Sequence, residues 1–334
     1  MRLPAEWEKQ EFVQLVFPHA KTDWNDYLDE AIDTFVDIAK NIARFEKVLI
    51  VSKNLEYIKS KFKNKKNITF VNIDSDDTWS RDFGGITIED NNKNLKILDF
   101  NFNAWGKKFE YKKDNQITRK LKLKALLKGY LHESIPFVLE GGAIESNGDG
   151  ILLSTTKCLM EKNRNPKLSQ KQIEKKLIQY FGLKKVLWLD YGYLIGDDTD
   201  SHIDTLARFV SHDTIIYQSC DDKNDEHYDE LKKMQEQLKK FKQLNGKPFK
   251  LIALPWIEAK YYKKDRLPAT YANFLIINDA LLVPTYNDKN DEKALEILKS
   301  VFKKREVIGI DCSTLIKQHG SLHCVTMQYP ALKR

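Results

Sequence analysis

Residues 143–155 read AIESNGDGILLST, and this stretch decides the fold that the sequence predicts. Two β-prone runs flank the turn Asn147-Gly148-Asp149-Gly150, a composition typical of a β-hairpin. Downstream, Ser169 is a suitable N-cap for a helix, and the apolar residues 186–189 favour a short strand. The predicted unit is therefore a hairpin followed by a helix and a strand.

The same order of elements recurs along the chain. The other internal copies have hairpin, helix and strand at 83–102, 120–131 and 136–139; at 202–220, 228–244 and 249–254; and at 271–286, 292–302 and 307–310. A fifth copy requires both chain ends, with strands at 322–328, 12–17 and 47–51 and a helix at about 23–44. Such closure predicts an α/β ring of five pseudo-repeated units, with simple α/β layering as the alternative.

Composition restricts the class of protein. The chain has 334 residues and 42% hydrophobic content, and no Pro/Gly/Ser-rich linker divides it, so we expect a single catalytic domain over residues 1–334. The net charge of +7 comes from 55 basic and 48 acidic residues spread along the chain, and the basic run 61–66 lacks interleaved stacking aromatics. These features argue against nucleic-acid binding.

The sequence also lacks the signals of a membrane or disulfide-rich protein. No segment approaches the roughly 18 apolar residues of a membrane span, and the N-terminus has no signal-peptide core, so we expect a cytoplasmic protein. The four cysteines are Cys158, Cys220, Cys312 and Cys324, and none forms a Cys-x-x-Cys pair. They predict neither a disulfide framework nor structural zinc.

Polar residues suited to catalysis fall beside the first strands of successive hairpins. Asp82 precedes the first, Glu140 the second, and His202 with Asp204 opens the third on a predicted strand, where both side chains would share one face. Cys324 lies on the terminal strand of the fifth copy. In a closed ring these positions converge on the axis.

A thiol, an imidazole and several carboxylates together indicate nucleophilic attack on a cationic, planar substrate. A guanidinium fits, because its fixed N–H donors pair bidentately with carboxylates. Each motif alone has a simpler interpretation: Cys324 as a buried structural thiol, the loop around Trp79 as charged surface with its ring in the core, and the Asp-rich loop 195–204 as a calcium site.

Seven motifs then carry a resemblance. They are Leu3-Pro4-Ala5-Glu6-Trp7, Trp79-x-Arg81-Asp82-x-Gly84, Leu139-Glu140-Gly141-Gly142, Asn163-Arg164-Asn165-Pro166, residues 196–204 (GDDTDSHID), residues 267–274 (LPATYANF) and Gly320-Ser321-Leu322-His323-Cys324. Together they resemble the agmatine deiminase branch of the guanidine-modifying enzymes, related to bacterial-type peptidylarginine deiminases. The resemblance implies a five-bladed α/β propeller (pentein) that hydrolyses agmatine to N-carbamoylputrescine and ammonia without a metal or other cofactor.

The resemblance also implies residue roles. The matching positions are Cys324 as nucleophile, His202 as general acid and base, Asp82 and Asp204 as the guanidinium clamp, Glu140 as support for the His, Trp79 as a wall of the substrate slot, and Asp197 and Asp198 as contacts for the distal amine. We expect Arg81 to pair with a neighbouring Asp. Two residues depart from the family pattern: Gly85 replaces the usual Pro, and Ser201 replaces the usual Gly.

Alternatives remain open from the sequence. The same residues would serve a peptidylarginine deiminase or an arginine deiminase, although no Arg pair is assignable to an α-carboxylate. A non-catalytic polyamine- or guanidine-binding protein and a metal-dependent hydrolase are further alternatives. The expected partner is a small cationic substrate, agmatine, and a homodimer is one of the assemblies that the sequence leaves open.

Overall fold

The computed structural model describes residues 1–332, which form a mixed α/β fold with several small sheets. The strands are β1 (Gln10–Val16), β2 (Lys47–Val51), β3 (Ile68–Val71), β4 (Ile86–Glu89), β5 (Leu95–Asn101), β6 (Leu131–Val138), β7 (Ile144–Ser146), β8 (Ile151–Thr155), β9 (Lys185–Leu189), β10 (Ala207–Ser211), β11 (Thr214–Gln218), β12 (Lys250–Leu254), β13 (Lys260–Tyr262), β14 (Asp265–Leu267), β15 (Leu275–Ile276), β16 (Ala280–Thr285), β17 (Glu306–Asp311) and β18 (Thr326–Pro330).

The α-helices vary from one turn to four. They are α1 (Leu28–Ala43), α2 (Leu55–Ser60), α3 (Ser80–Phe83), α4 (Ala104–Lys107), α5 (Ile117–Leu123), α6 (Thr156–Leu159), α7 (Gln170–Phe181), α8 (Tyr228–Lys240) and α9 (Asp291–Val301). Short 3-10 turns cover Asn25–Tyr27, Asp114–Gln116, Gly141–Ala143, Ile203–Thr205 and Leu315–Gln318. None of the helices in residues 1–332 is long and apolar enough to cross a membrane.

Five sheets share one internal plan. Their strand orders are β4-β5-β6, β7-β8-β9, β10-β11-β12, β15-β16-β17 and β18-β1-β2-β3, and β13-β14 forms a separate hairpin. In each of the five, the first two strands are antiparallel and the second and third are parallel. The last sheet joins both ends of the chain, because β18 pairs with β1, as the sequence predicts.

Local sequence explains the units. In the second hairpin Gly148 and Gly150 adopt φ of 73° and 87°, values that favour glycine. Helix α7 begins with a capping box between Ser169 and Gln172, which confirms the predicted N-cap. It ends at Phe181 and is followed by Gly182, whose φ of 64° gives the left-handed C-cap that residues with a side chain adopt only with strain.

Helix α8 packs through the apolar face that its sequence predicts. Leu231, Met234 and Leu238 are buried, whereas Phe241 is the C-cap and is only partly buried. The helix therefore ends at Lys240, four residues before the predicted end at Leu244.

Other predictions about the elements were wrong. The helix predicted at 120–131 is α5, which ends at Leu123, because Ala125 and Gly129 adopt φ of 57° and 95° and interrupt the helix. The strand predicted at 136–139 begins earlier, at Leu131. Strand β3 and the β13-β14 hairpin were not predicted.

The predicted positions of the catalytic candidates also need correction. His202 and Asp204 do not lie on a strand, since His202 precedes the 3-10 turn Ile203–Thr205 and β10 begins only at Ala207. Cys324 likewise lies in a turn before β18. These residues therefore occupy turns that lead into the first strand of a sheet.

Candidate active site

The turns before the first strands of the five sheets bring the candidate residues together. Asp82 lies in α3, Glu140 precedes the turn Gly141–Ala143, and His202 and Asp204 lie before β10. Asn273 precedes β15, and Cys324 precedes β18. We call these five segments the pre-strand turns.

Hydrogen bonds link the pre-strand turns to one another. The Arg81 amide donates to the Cys324 carbonyl at 3.1 Å, and the His323 amide donates to the Asn273 carbonyl at 3.1 Å. The Asn273 side chain donates to the Asp204 carbonyl at 3.3 Å. These bonds fix the relative positions of side chains that are far apart in sequence.

Cys324 is 4% exposed, and its Sγ lies 3.4 Å from Asn273 Oδ1 and 3.9 Å from Asp204 Oδ2. Burial raises the pKa of this thiol well above its usual range, and the charges of Asp204 and Asp82 raise it further. Both oxygen contacts suit an S–H donor better than a thiolate. Burial and the neighbouring carboxylates therefore favour a neutral thiol at Cys324 in the free protein.

His202 is fully buried, with its Nδ1 3.6 Å from Asp82 Oδ1. Neither ring nitrogen has a hydrogen-bond partner among residues 1–332. Burial alone would lower the pKa of His202, but the charge of Asp82 and the nearby Cys158 raise it to about 10. The charge of Asp82 therefore favours the protonated form of the ring, which can donate a proton, at neutral pH.

Asp82 is held by two donors. Trp105 Nε1 donates to its Oδ2 at 2.9 Å, and the Gly142 amide donates to its Oδ1 at 3.0 Å. Gly142 must be glycine here, since an added Cβ would lie 2.6 Å from His202 Nδ1 and 2.8 Å from Asp82 Oδ1. Burial raises the pKa of Asp82 to about 6 despite these bonds.

Asp204 is buried and has one occupied and one free oxygen. Its Oδ2 lies 2.7 Å from His323 Nδ1, whereas Oδ1 has no partner among residues 1–332. Burial raises the pKa of Asp204, but the hydrogen bond and charge of His323 lower it below its usual range. The free oxygen is thus an unused anionic acceptor on a carboxylate whose other oxygen lies 3.9 Å from Cys324 Sγ.

Behind Asp204, a buried network supports His323. His323 Nε2 lies 2.7 Å from Glu6 Oε2, and Arg208 Nη2 donates to the same oxygen at 2.8 Å. Arg208 Nε donates to Glu145 at 2.9 Å, and its Nη1 donates to the Phe274 carbonyl at 2.7 Å. The N-terminal motif residue Glu6 is therefore tied directly to the turn that carries Cys324.

Glu140 is buried and is bound by Arg164. Arg164 Nε lies 2.9 and 3.0 Å from the two Glu140 oxygens, and Nη1 donates to Asp200 Oδ2 at 2.8 Å. The same guanidinium donates from Nη2 to the Thr199 carbonyl at 2.9 Å. Arg164 thereby joins Glu140 to the loop that precedes His202.

One group of possible metal ligands occurs in residues 1–332. Glu140, Cys158 and His202 each place a donor atom within 4.8 Å of the others. Arg164 already contacts both Glu140 oxygens, and none of the three residues lines the cavity described next. The arrangement therefore favours a role in positioning His202.

A cavity of about 140 Å³, here called the front cavity, reaches Asp82 and Cys324, whereas His202 and Asp204 are not among the residues that line it. Its lining includes Asp23, Asp77, Trp79, Asp82, Asp198 and Cys324. Trp79 Nε1 donates to Asp77 Oδ2 at 2.9 Å, which fixes the ring in the wall. Gly320 packs on this ring so closely that an added Cβ would lie 2.2 Å from Trp79 Cζ3.

The two predicted amine contacts differ in position. Asp198 lines the front cavity, and its side chain is 44% exposed. Asp197 does not line it, and both of its oxygens accept hydrogen bonds from the loop, from Thr199 and from the Ser201 amide. Asp23 also lines the cavity and was not singled out from the sequence.

Comparison with known proteins gives the family. The model of the Porphyromonas-type peptidyl-arginine deiminase family matches residues 2–330. The chain belongs to this family.

Individual relatives extend the comparison. Agmatine deiminase of Pseudomonas aeruginosa is 31% identical over 357 residues, covering 100% of this chain and 96% of the relative. A C. jejuni agmatine deiminase with cysteine replaced by serine, solved with substrate bound, is 44% identical with a TM-score of 0.93, covering 98% and 96% of the two chains. A structure provisionally assigned as a peptidyl-arginine deiminase is 52% identical with a TM-score of 0.96, covering 99% and 98%.

More distant solved structures are similar to this chain in fold only. Dimethylarginine dimethylaminohydrolase has a TM-score of 0.53 to this chain at 12% identity, covering 96% of this chain and 100% of its own.

The structure explains the departure at Gly85 but not the one at Ser201. Ser201 adopts φ of 69°, so this position does require the left-handed region where a side chain adds strain. Thr155 Oγ1 holds the Ser201 carbonyl at 2.7 Å. At Gly85, an added Cβ would lie 2.3 Å from Ile97 Cγ2, so the packing around this chain's own Ile97 leaves room only for glycine.

Sequence reasoning gave no role to several residues of the site. Asn273 could have been found, because it holds the position in the fourth copy that Asp82 and Glu140 hold in the first two. Arg164 lay within a quoted motif, but nothing in its spacing indicated Glu140 as its partner. The prediction for Arg81 was wrong: its Nε donates to the His323 carbonyl at 3.4 Å. Among residues 1–332 Arg81 forms no ion pair with an Asp, and its Nη2 has no hydrogen-bond partner.

Proposed function

We propose that this protein is an agmatine deiminase, which hydrolyses agmatine to N-carbamoylputrescine and ammonia. The observation that carries the proposal is the charge of the front cavity. Four aspartates line it, Asp23, Asp77, Asp82 and Asp198, and no Lys or Arg of the described residues does. The thiol of Cys324 lies in the same cavity, so a dication with a guanidinium at one end fits this charge pattern.

The guanidinium end would lie against Asp82 and Asp204. Asp82 keeps its position through Trp105 and Gly142, and the free Oδ1 of Asp204 is an unused acceptor. A guanidinium has N–H donors in a fixed plane and can satisfy both carboxylates at once. Its central carbon would then face Cys324 Sγ.

The ammonium end would lie near Asp198 and Asp23. The carboxylate of free arginine would meet these same acidic groups and no lining Lys or Arg to pair with. The nearby Lys108 is paired with Asp200 at 2.9 Å. Agmatine is therefore the substrate that the cavity favours over arginine, in line with the names of several relatives.

The first half-reaction forms a covalent intermediate. The bound guanidinium favours loss of the Cys324 proton to solvent, and the thiolate adds to the guanidinium carbon. His202 donates a proton to the departing nitrogen, the carbon–nitrogen bond breaks, and ammonia leaves. The remaining species is a thiouronium that joins Cys324 to the substrate carbon.

The second half-reaction consumes water. His202, now neutral, takes a proton from water as its oxygen adds to the thiouronium carbon. The carbon–sulfur bond breaks, the hydroxyl proton of the tetrahedral centre passes to the leaving sulfur and restores the Cys324 thiol, and the carbon becomes the carbonyl of a ureido product. Glu140 and Arg164 position His202 through both steps, and Trp79 forms a wall of the slot. No step requires a metal or other cofactor.

Peptidyl-arginine is the second candidate substrate, because the matched family model carries that activity in its name. A peptide supplies the guanidinium but lacks the terminal ammonium that Asp198 and Asp23 would bind. We therefore rank it below agmatine.

We also infer that the five sheets form a closed five-bladed propeller within one catalytic domain. The hydrogen bonds between the pre-strand turns support this, since they link the first sheet to the last, the last to the fourth, and the fourth to the third. The Gly142–Asp82 and Thr155–Ser201 bonds link the second to its two neighbours. Cytoplasmic location and a homodimer stay predictions.

The test is ammonia release from agmatine, free arginine and a blocked arginine peptide in one buffer, reported as kcat/KM. The proposal expects agmatine to exceed both others by orders of magnitude. The variant Asp198→Asn should lower kcat/KM for agmatine more than for the peptide. Equal efficiency on the peptide would favour the second candidate, and no ammonia from any substrate would favour a binding protein.

A further inference from the structure

A second cavity lies behind the candidate catalytic residues. This rear cavity has a volume of about 70 Å³ and is lined by residues that include Gln10, Arg81, Thr87, Gly141 and His323. The front cavity contains Asp82 and Cys324, whereas the rear cavity contains the residues directly before them in the chain. Because neighbouring Cα atoms are only about 3.8 Å apart, the layer between the cavities is one residue thick at these points.

Three polar atoms of rear-cavity residues lack partners. Arg81 Nη2, Gln10 Oε1 and Thr87 Oγ1 are buried and make no hydrogen bond within residues 1–332. The three residues are only 4%, 4% and 5% exposed. Buried polar atoms are almost always paired, and an unpaired one is costly. Three of them around one cavity point to a small polar molecule inside it.

The three atoms without hydrogen-bond partners restrict the chemistry of that molecule. Arg81 offers a donor, Gln10 an acceptor, and Thr87 both, so the occupant must accept and donate. A cation would meet the Arg81 guanidinium, and an anion would meet the carboxylates of Glu6 and Glu145, which also line the cavity. A small neutral molecule such as water or ammonia is repelled by neither the guanidinium nor the carboxylates. The cavity volume has room for several such molecules.

These two molecules are the ones that the proposed reaction exchanges. Ammonia must leave and water must enter while the front cavity still holds the rest of the substrate. We propose that the rear cavity is a binding site for water and ammonia and that one of them crosses the thin layer there during turnover. This rests on the proposed function, since another reaction would exchange other molecules.

The test compares two substitutions of Thr87. Thr87→Leu fills the rear cavity, whereas Thr87→Val removes the hydroxyl at nearly constant size. Thr214→Leu, at a buried strand position that lines neither cavity, is the matched control. Rapid acid quench measures formation and decay of the Cys324 adduct, and a coupled assay measures ammonia release, in a single turnover of agmatine.

We expect Thr87→Leu to slow one step by about tenfold or more while Thr214→Leu slows neither. Slow adduct decay with normal ammonia release identifies water as the molecule that crosses, and slow ammonia release identifies ammonia. A folded Thr87→Leu protein with both rates at the wild-type value overturns the proposal.

A crystal structure of the wild-type protein keeps the idea testable if Thr87→Leu does not fold. We expect ordered density within hydrogen-bonding distance of Arg81 Nη2 and Gln10 Oε1, and an empty rear cavity at high resolution contradicts the proposal. Thr87→Val should lose stability if the hydroxyl binds water and gain it if the hydroxyl is unpaired. Absence of turnover in the wild-type protein would instead refute the proposed function and leave the density result unaffected.

Discussion

Arg164 Nε lies 2.9 and 3.0 Å from the two oxygens of Glu140, and both side chains are fully buried. Removing the guanidinium would leave a buried carboxylate without its counter-charge. We therefore expect Arg164→Met to lower the free energy of unfolding by about 3–5 kcal/mol. Urea denaturation measures this change.

The matched control is Arg44→Met. Arg44 pairs with Glu306 at 2.7 Å, but both side chains are about half exposed, so its loss should cost about 0–1 kcal/mol. Equal losses in the two variants would show that the Arg164–Glu140 pair has no special role in stability.

The protonation state of Cys324 leads to a second prediction. Burial and the charges of Asp204 and Asp82 raise the pKa of this thiol well above its usual range, so little thiolate exists at neutral pH. Alkylation of Cys324 by iodoacetamide, followed by peptide mass spectrometry, should be slow at pH 7 and should accelerate up to and beyond pH 9. A rate that is already maximal at pH 7 would indicate a preformed thiolate.

The conformation of Ser201 predicts a stabilising substitution. Its φ of 69° lies in the left-handed region, which costs a side-chain-bearing residue roughly 1 kcal/mol or more relative to glycine. Ser201→Gly should raise Tm by relieving this strain. Ser300→Gly, in the last turn of helix α9, is the opposite control and should lower Tm, since glycine has a low helix propensity. A lower Tm for Ser201→Gly would mean that the serine side chain contributes more than the strain costs.

The raised pKa values of Asp82 and His202 predict the pH dependence of activity. The Asp82 carboxylate, with a pKa of about 6, would lose its charge as the pH falls, which weakens guanidinium binding. His202, with a pKa of about 10, would lose the proton that it donates only at alkaline pH. The profile of kcat/KM should therefore fall below about pH 6 and above about pH 10. A profile that stays flat through pH 6 would remove Asp82 from the clamp.

Much of the fold could be predicted because strand order depends on hydrophobic runs and turn residues that are local in sequence. The hairpin at Asn147-Gly148-Asp149-Gly150 and the helix after Ser169 are such cases, and both were confirmed. The end of α5 was not predicted, because the left-handed φ of Ala125 has no sequence signal.

The site was predictable only in part. Repeat positions and the resemblance indicated Asp82, His202 and Cys324, whose roles stay predictions until variants are assayed. The supporting contacts could not be predicted, because a bond such as that between Glu6 and His323 joins residues that only the folded chain brings together.

The covalent intermediate on Cys324 is the centre of this account. Single-turnover reaction with agmatine, rapid acid quench and peptide mass spectrometry should find a substrate-derived adduct on the peptide that contains Cys324. Cys324→Ala should give no adduct and no ammonia, whereas Cys220→Ala should behave like the wild type. Cys158 is unsuitable as a control, because it lies beside His202. Ammonia release from agmatine with no adduct on Cys324, or by the Cys324→Ala variant, would contradict the account.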